Sequence, residues 1–135
     1  MKRPSVLLAD DNEGVAMALK ELLAPEFDVV GTVPDGVMLL EAAALLNPDV
    51  IVADISMPRL DGLGALAQLR QANPRVRVVL ITMYQEPGLA LLALEEGALG
   101  FVLKNQPSSQ LLDAIRAALL GKTYVSPAIE RMMGR

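Results

Sequence analysis

Five polar residues stand where short apolar runs end: Asp10 and Asp11 after Ser5–Ala9, Asp54 after Val50–Ala53, Thr82 closing Arg75–Thr82, and Lys104 after Phe101–Leu103. A short apolar run bounded by turn formers reads as a strand buried on both faces, and a strand that stops on an acid delivers that acid to a rim. Three carboxylates gathered on one rim repel each other by about 4 kcal/mol per pair at ~4 Å and an effective dielectric near 20. Something cationic must offset that. Lys104 supplies one charge, and a hard divalent ion that takes oxygen ligands and keeps several waters supplies two more, which points to Mg²⁺ rather than a softer metal. With the charge balanced, one carboxylate can attack phosphorus. Asp54 is the candidate nucleophile and would form an acyl phosphate; Lys104 would neutralise the transferred group, and the Thr82 hydroxyl would donate to a phosphoryl oxygen.

The segments between these runs are helical. Val15, Leu19, Leu22 and Leu23 recur at helical spacing behind Asn12, a plausible N-cap, with Pro25 beyond the end. A second strand, Phe27–Val33, leads to Asp35-Gly36 and a helix that closes at Asn47-Pro48. Pro58 forbids the sheet from continuing past Asp54, and Asp61, read as a turn residue and not a ligand, precedes a helix over Leu63–Ala72. Pro87 opens a helix running to Glu96 with Gly97 as its C′ residue, and Pro107 opens a last one with Leu111, Leu112, Ile115, Ala118 and Leu119 on one face. Five strands alternating with five helices through short joins predict an α/β fold: a doubly wound, five-stranded parallel sheet of (βα)5 type. Such a sheet binds ligands at the carboxyl ends of its strands. The run Leu89–Leu94 has too few polar positions for a solvated face; a dimer partner, an effector domain or neighbouring loops would cover it.

Composition narrows the classes further. A chain of 135 residues fits one domain with a sizeable core. It contains no cysteine and no histidine, so disulfides and thiolate metal sites are excluded and structural zinc is disfavoured. Its net charge of −4, without a basic block, argues against nucleic-acid binding by this segment itself. No apolar run approaches the ~20 residues of a membrane span and the N-terminus lacks a signal sequence, so a soluble cytoplasmic protein without membrane contact is expected.

The sequence resembles the receiver domain of two-component response regulators, a flavodoxin-like fold, from Ser5 to about Leu120. Asp10 and Asp11 fall on that family's acidic pair, Asp54 on its phosphoacceptor, Thr82 on its switch hydroxyl and Lys104 on its lysine; Met57-Pro58 and Asp61-Gly62 match the loop after the phosphoacceptor. The resemblance implies Mg²⁺ held by Asp11, Asp54 and the backbone carbonyl of Ser56, with Asp10 acting largely through water. It also implies a switch in which Phe101 turns inward when Thr82 is drawn to the phosphate. The tail Gly121–Ile129, together with Lys104-Asn105, is similar to the NarL/FixJ-type transcription regulators, whose receivers join a helix-turn-helix domain. Residues 1–121 are then the receiver and 122–135 the start of a linker. The sequence also departs from the family pattern. Ser56 and Tyr84 occupy positions that tune phosphate lifetime, and Met83 replaces a small residue, where it would narrow access for a phosphodonor or pack against the fourth helix.

The leading expectation is a receiver phosphorylated on Asp54 by a sensor histidine kinase. It would form a homodimer on activation and reach DNA only through an effector domain outside this chain; it would not be an enzyme beyond its own phosphorylation and dephosphorylation. Because the chain stops at Arg135, a stand-alone receiver in a phosphorelay is the alternative. A Mg²⁺-dependent phosphohydrolase with an aspartyl nucleophile is the third reading, but Asp54-Ile55-Ser56 lacks the second acid of the D-x-D pattern.

Overall fold

A computed structural model describes residues 2–106 and 108–134. The chain alternates strand and helix as β1 (Ser5–Ala9), α1 (Glu13–Leu23), β2 (Asp28–Val33), α2 (Gly36–Leu46), β3 (Val50–Asp54), α3 (Gly62–Ala72), β4 (Val78–Thr82), α4 (Pro87–Glu95), β5 (Gly100–Leu103), α5 (Ser108–Leu119), β6 (Tyr124–Val125) and α6 (Pro127–Met132). All strand pairs are parallel, in the order β2-β1-β3-β4-β5-β6. The order reverses between β1 and β3, which places the crevice of this fold beside the ends of those two strands.

Side-chain alternation along the strands divides the core in two. Leu7, Ala9, Ile51, Ala53, Leu80, Phe101 and Leu103 face the layer of α2, α3 and α4, where Leu39, Leu66, Leu69, Ala90 and Ala93 meet them. Val6, Leu8, Val50, Val52, Val79, Ile81 and Val102 face α1 and α5, meeting Leu23, Leu111, Ala114, Ile115 and Ala118. The helix starts follow the local chemistry. Asn12, Asp35 and Asp61 each accept a backbone N–H from three residues on, so Asp61 is the N-cap of α3. Gly97, at φ +100°, follows the end of α4 as the C′ residue. Pro107, expected to open the last helix, lies outside the described residues.

The sheet carries one strand more than the five expected. Tyr124-Val125 pairs with Gly100-Phe101, and α6 follows at once, with Ile129 fully buried in the core cluster that holds Phe101 and Ala90. Two residues are too few to show a strand period, and Pro127 at the helix start reads in sequence as a breaker. The stretch expected to begin a linker is therefore docked on β5 and α4. The α4 surface is only partly covered by it. Ala90 and Ala93 face inward, whereas Leu91 and Leu92 remain half exposed. Because Ile129 is fully buried, Ile129→Ala should lower the unfolding free energy by about 2–5 kcal/mol in chemical denaturation; a change below about 0.5 kcal/mol would mean that α6 is not part of the cooperative unit.

Candidate functional site: an acidic rim around one lysine

The two carboxylates at the centre of the site are held in the same way on adjacent strands. β1 and β3 pair Ala9 with Ala53, so Asp10 and Asp54 emerge side by side at the strand ends. Asp10 Oδ1 accepts the N–H of Asn12 at 3.0 Å, and Asp54 Oδ1 accepts the N–H of Ser56 at 3.2 Å. Each acid thus closes a turn with its own backbone two residues on and leaves Oδ2 free to point into the crevice. Both Oδ2 atoms meet Lys104 Nζ, at 2.7 Å from Asp10 and 2.8 Å from Asp54. The lysine reaches them from the end of β5, where its own N–H is donated to the Thr82 carbonyl.

Glycine allows the loop after Asp54 to return this closely. Gly62 donates its N–H to the Ile55 carbonyl at 2.8 Å, and a Cβ on it would lie 2.5 Å from the carbonyl oxygen of Asp54. No other residue would permit that approach without moving the acid.

Asp10 and Asp54 are buried, Asp11 is exposed, and each offers an oxygen within 4.8 Å of the other two. Asp10 Oδ2 makes no directed hydrogen bond although it is buried; its lysine contact is one of charge and distance only. A cluster of hard oxygen donors that includes an under-satisfied buried one fits Mg²⁺. Burial pushes the Asp54 carboxyl above the usual carboxylate range, although the ion pair with Lys104 and the Ser56 N–H pull the other way. Burial would lower Lys104, but its ion pairs with Asp10 and Asp54 outweigh that and hold it above the ordinary lysine value. The lysine is therefore a fixed cation at neutral pH.

The remaining predicted residues surround this pair. Thr82 is buried at the end of β4, and its Oγ1 accepts the Tyr84 N–H at 3.1 Å, which leaves the hydroxyl proton available to another acceptor. Ser56 is exposed at the rim. Phe101 is fully buried even though the Thr82 hydroxyl is engaged by local backbone; Ala90, Ala93, Val125 and Ile129 belong to the same core cluster. Met83 stands at the rim beside Lys104. It is 57% exposed and, with Leu19 and Lys104, lines a cavity of about 310 Å³ between α1 and α5. Two features escaped the sequence reading. Ser126, fully buried, accepts the Leu103 N–H at 3.0 Å and donates to Gln110 at 2.8 Å, which ties the C-terminal segment to the strand of Lys104. Arg59, in the loop after β3, pairs with Asp35, in the loop after β2.

A parallel sheet with a lysine bridging two carboxylates at its switch point defines a receiver-type signalling domain, and comparison with known proteins places the chain there. Residues 6–116 match the response regulator receiver domain, and the chain belongs to that family. Its relatives are regulators of the NarL, DegU and GacA type. It is 32% identical over 126 residues to the transcriptional regulatory protein DegU of Brevibacillus brevis, covering 92% of this chain and 53% of that protein. A LuxR-family two-component response regulator from Aurantimonas sp. SI85-9A1 superimposes with a TM-score of 0.94 at 30% identity, covering 98% of this chain and 96% of that one. The isolated receiver domain of RcsB from Salmonella enterica serovar Typhimurium, solved with the phosphomimetic BeF3⁻, gives a TM-score of 0.89 at 25% identity, covering 98% and 99% of the two chains. The chain spans between 53% and 61% of the length of the curated relatives it matches. Proteins of this family are signalling proteins rather than typical enzymes. Among the described residues no helix is long and apolar enough to cross a membrane.

The raised Asp54 pKa fixes the sign of a pH effect. A carboxyl whose folded pKa lies above its unfolded value favours the fold while protonated; that contribution is complete below the unfolded pKa and is lost as pH rises through the folded one. In metal-free buffer Asp54→Asn should therefore melt higher than wild type at pH 7. The difference should shrink toward pH 3. Equal melting curves at pH 7 would show that the ion pair with Lys104 fully compensates burial.

Proposed function

We propose that this chain is the phosphorylatable switch of a transcriptional response regulator. Asp54 accepts a phosphoryl group from a sensor histidine kinase in the cytoplasm, and the modified domain dimerises and acts on DNA through an effector domain outside this chain. The observation that carries the proposal is the position of Lys104 Nζ, in contact with the Asp10 and Asp54 carboxylates on adjacent strands. In the transfer an Asp54 carboxylate oxygen bonds phosphorus as the donor's P–N bond breaks, and the nitrogen leaves with a proton. Lys104 then faces the anionic product, and the buried Thr82 hydroxyl can turn its proton toward a phosphoryl oxygen while it keeps the Tyr84 N–H. Asp10, Asp11, Asp54 and the Ser56 carbonyl would hold Mg²⁺, which supplies charge neutralisation on the transferring oxygens.

Transcriptional output is supported by kinship: DegU is a transcriptional regulatory protein, and the Aurantimonas neighbour is of the LuxR family. Residues 1–121 form the body of the receiver in this proposal, and 122–135, docked through β6 and α6, lead toward the effector. Phe101 lies between the site and that segment, and movement at Thr82 and Lys104 would reach Val125 and Ile129 through it.

Incubation with Mg²⁺ and phosphoramidate should add one phosphate by intact mass, and Asp54→Ala should abolish it. Mg²⁺ at about a hundred times its dissociation constant should raise the stability of wild type by ~2.7 kcal/mol and that of Asp54→Ala by much less. An undiminished adduct in Asp54→Ala, or none on wild type, would overturn the proposal.

A further inference from the structure

Arg59 sits in the loop between β3 and α3 with φ +66°, a left-handed conformation that a long side chain rarely adopts. Its neighbours close a three-residue turn across it: Leu60 donates its N–H to the Pro58 carbonyl at 2.7 Å. Backbone strain of this kind persists only where the surroundings over-determine it, and here the surroundings are specific. The Arg59 guanidinium meets both oxygens of Asp35, Nη2 at 3.2 Å from Oδ1 and Nε at 3.1 Å from Oδ2. Asp35 is itself buried, and its Oδ1 accepts the Met38 N–H at 2.8 Å as the N-cap of α2. One residue on, Gly36 donates its N–H to the Leu60 carbonyl at 3.0 Å, and a Cβ on Gly36 would stand 2.1 Å from that oxygen. The β2–α2 and β3–α3 loops are thus joined by a two-pronged ion pair and by a backbone bond that only glycine allows.

The strained turn begins two residues after Ser56, at Pro58, and the same loop leaves β3 directly after Asp54. A fork-to-carboxylate pair fixes orientation as well as distance, which a lysine at this position would not do. We propose that Arg59 is a positioning residue for the Mg²⁺ site. Held on Asp35, it keeps the loop in the turn that leaves Asp54 and Ser56 at the rim. This inference rests on the reading of Asp54, Asp11 and the Ser56 carbonyl as Mg²⁺ ligands.

The test compares wild type with Arg59→Ala, Arg59→Gly and Asp35→Asn in Mg²⁺ titration calorimetry without a phosphodonor, alongside melting curves and amide exchange of the metal-free proteins. Asp35→Asn keeps a capping side chain and removes the charge; Arg59→Gly removes the clamp and relaxes the backbone at once. All three should weaken Mg²⁺ by roughly tenfold, the low end of what loss of an outer partner costs a metal site. The double variant Arg59→Ala with Asp35→Asn should be no weaker than either single one, because the two residues act as one unit. The Gly36 and Leu60 amides should exchange faster in each variant. Arg59→Gly should melt no lower than Arg59→Ala while binding Mg²⁺ equally poorly, which a purely structural role would not produce. Wild-type Mg²⁺ affinity in Arg59→Gly and Asp35→Asn would overturn the clamp and leave the metal site standing. A wild type that binds no Mg²⁺ would overturn both.

Discussion

Lys104 Nζ within 2.8 Å of both Asp10 and Asp54 is the contact around which this molecule is arranged. Two carboxylates buried side by side at the ends of adjacent strands would repel each other and pay for lost water, and neither cost is met by the apolar sheet behind them. The lysine meets part of it. To reach that point it must leave β5, two strands away from β3, which requires the parallel order β3-β4-β5 and a common level for the strand ends. The register provides this, since Asp54 lies opposite Ile81 and Thr82 opposite Leu103. The balance is incomplete, as the raised Asp54 carboxyl shows. One lysine for two buried acids and a third exposed one leaves negative charge at the rim, and that residual charge makes the site receptive to a divalent cation.

Much of this was legible in the sequence because the chemistry sits where periodicity stops. Asp10, Asp54 and Lys104 each follow an apolar run, and a change from strand to helix pattern marks each join. Proline and asparagine punctuate the helices. The central strands were legible because their apolar runs are uninterrupted. Features that depend on contact between distant segments were not. Asp35 and Arg59 lie in different loops 24 positions apart, and neither carries a periodic signal. The same holds for Ser126, whose partners are on β5 and α5. In α4 the sequence pattern did not say which residues face the sheet: small Ala90 and Ala93 do, and Leu91 and Leu92 stand half exposed on the outside, where neighbouring loops do not bury them.

The additional strand changes how the C-terminal segment is understood. A linker would be free to move independently of the site. Here Ser126 instead bonds the amide directly before Lys104, and Ile129 shares a core with Phe101. Phe101 has no hydroxyl to satisfy, so packing alone decides its position, and it is fully buried. What remains adjustable at the rim is polar: the Thr82 hydroxyl, engaged with one backbone N–H, and the lysine shared between two acids. A switch built from these parts would act by redirecting hydrogen bonds, with the packed residues between Lys104 and α6 carrying the displacement outward.

The central claim, that the lysine-bridged acids form a phosphoryl-accepting Mg²⁺ site, is tested most directly by a crystal structure of this chain with Mg²⁺ and beryllofluoride. Beryllium should lie on an Asp54 carboxylate oxygen, with fluorines in contact with Lys104 Nζ and the Thr82 hydroxyl and a metal ion among Asp11, Asp54 and the Ser56 carbonyl. Asp54 still paired to Lys104, with no adduct and no metal at saturating concentrations of both, would contradict it.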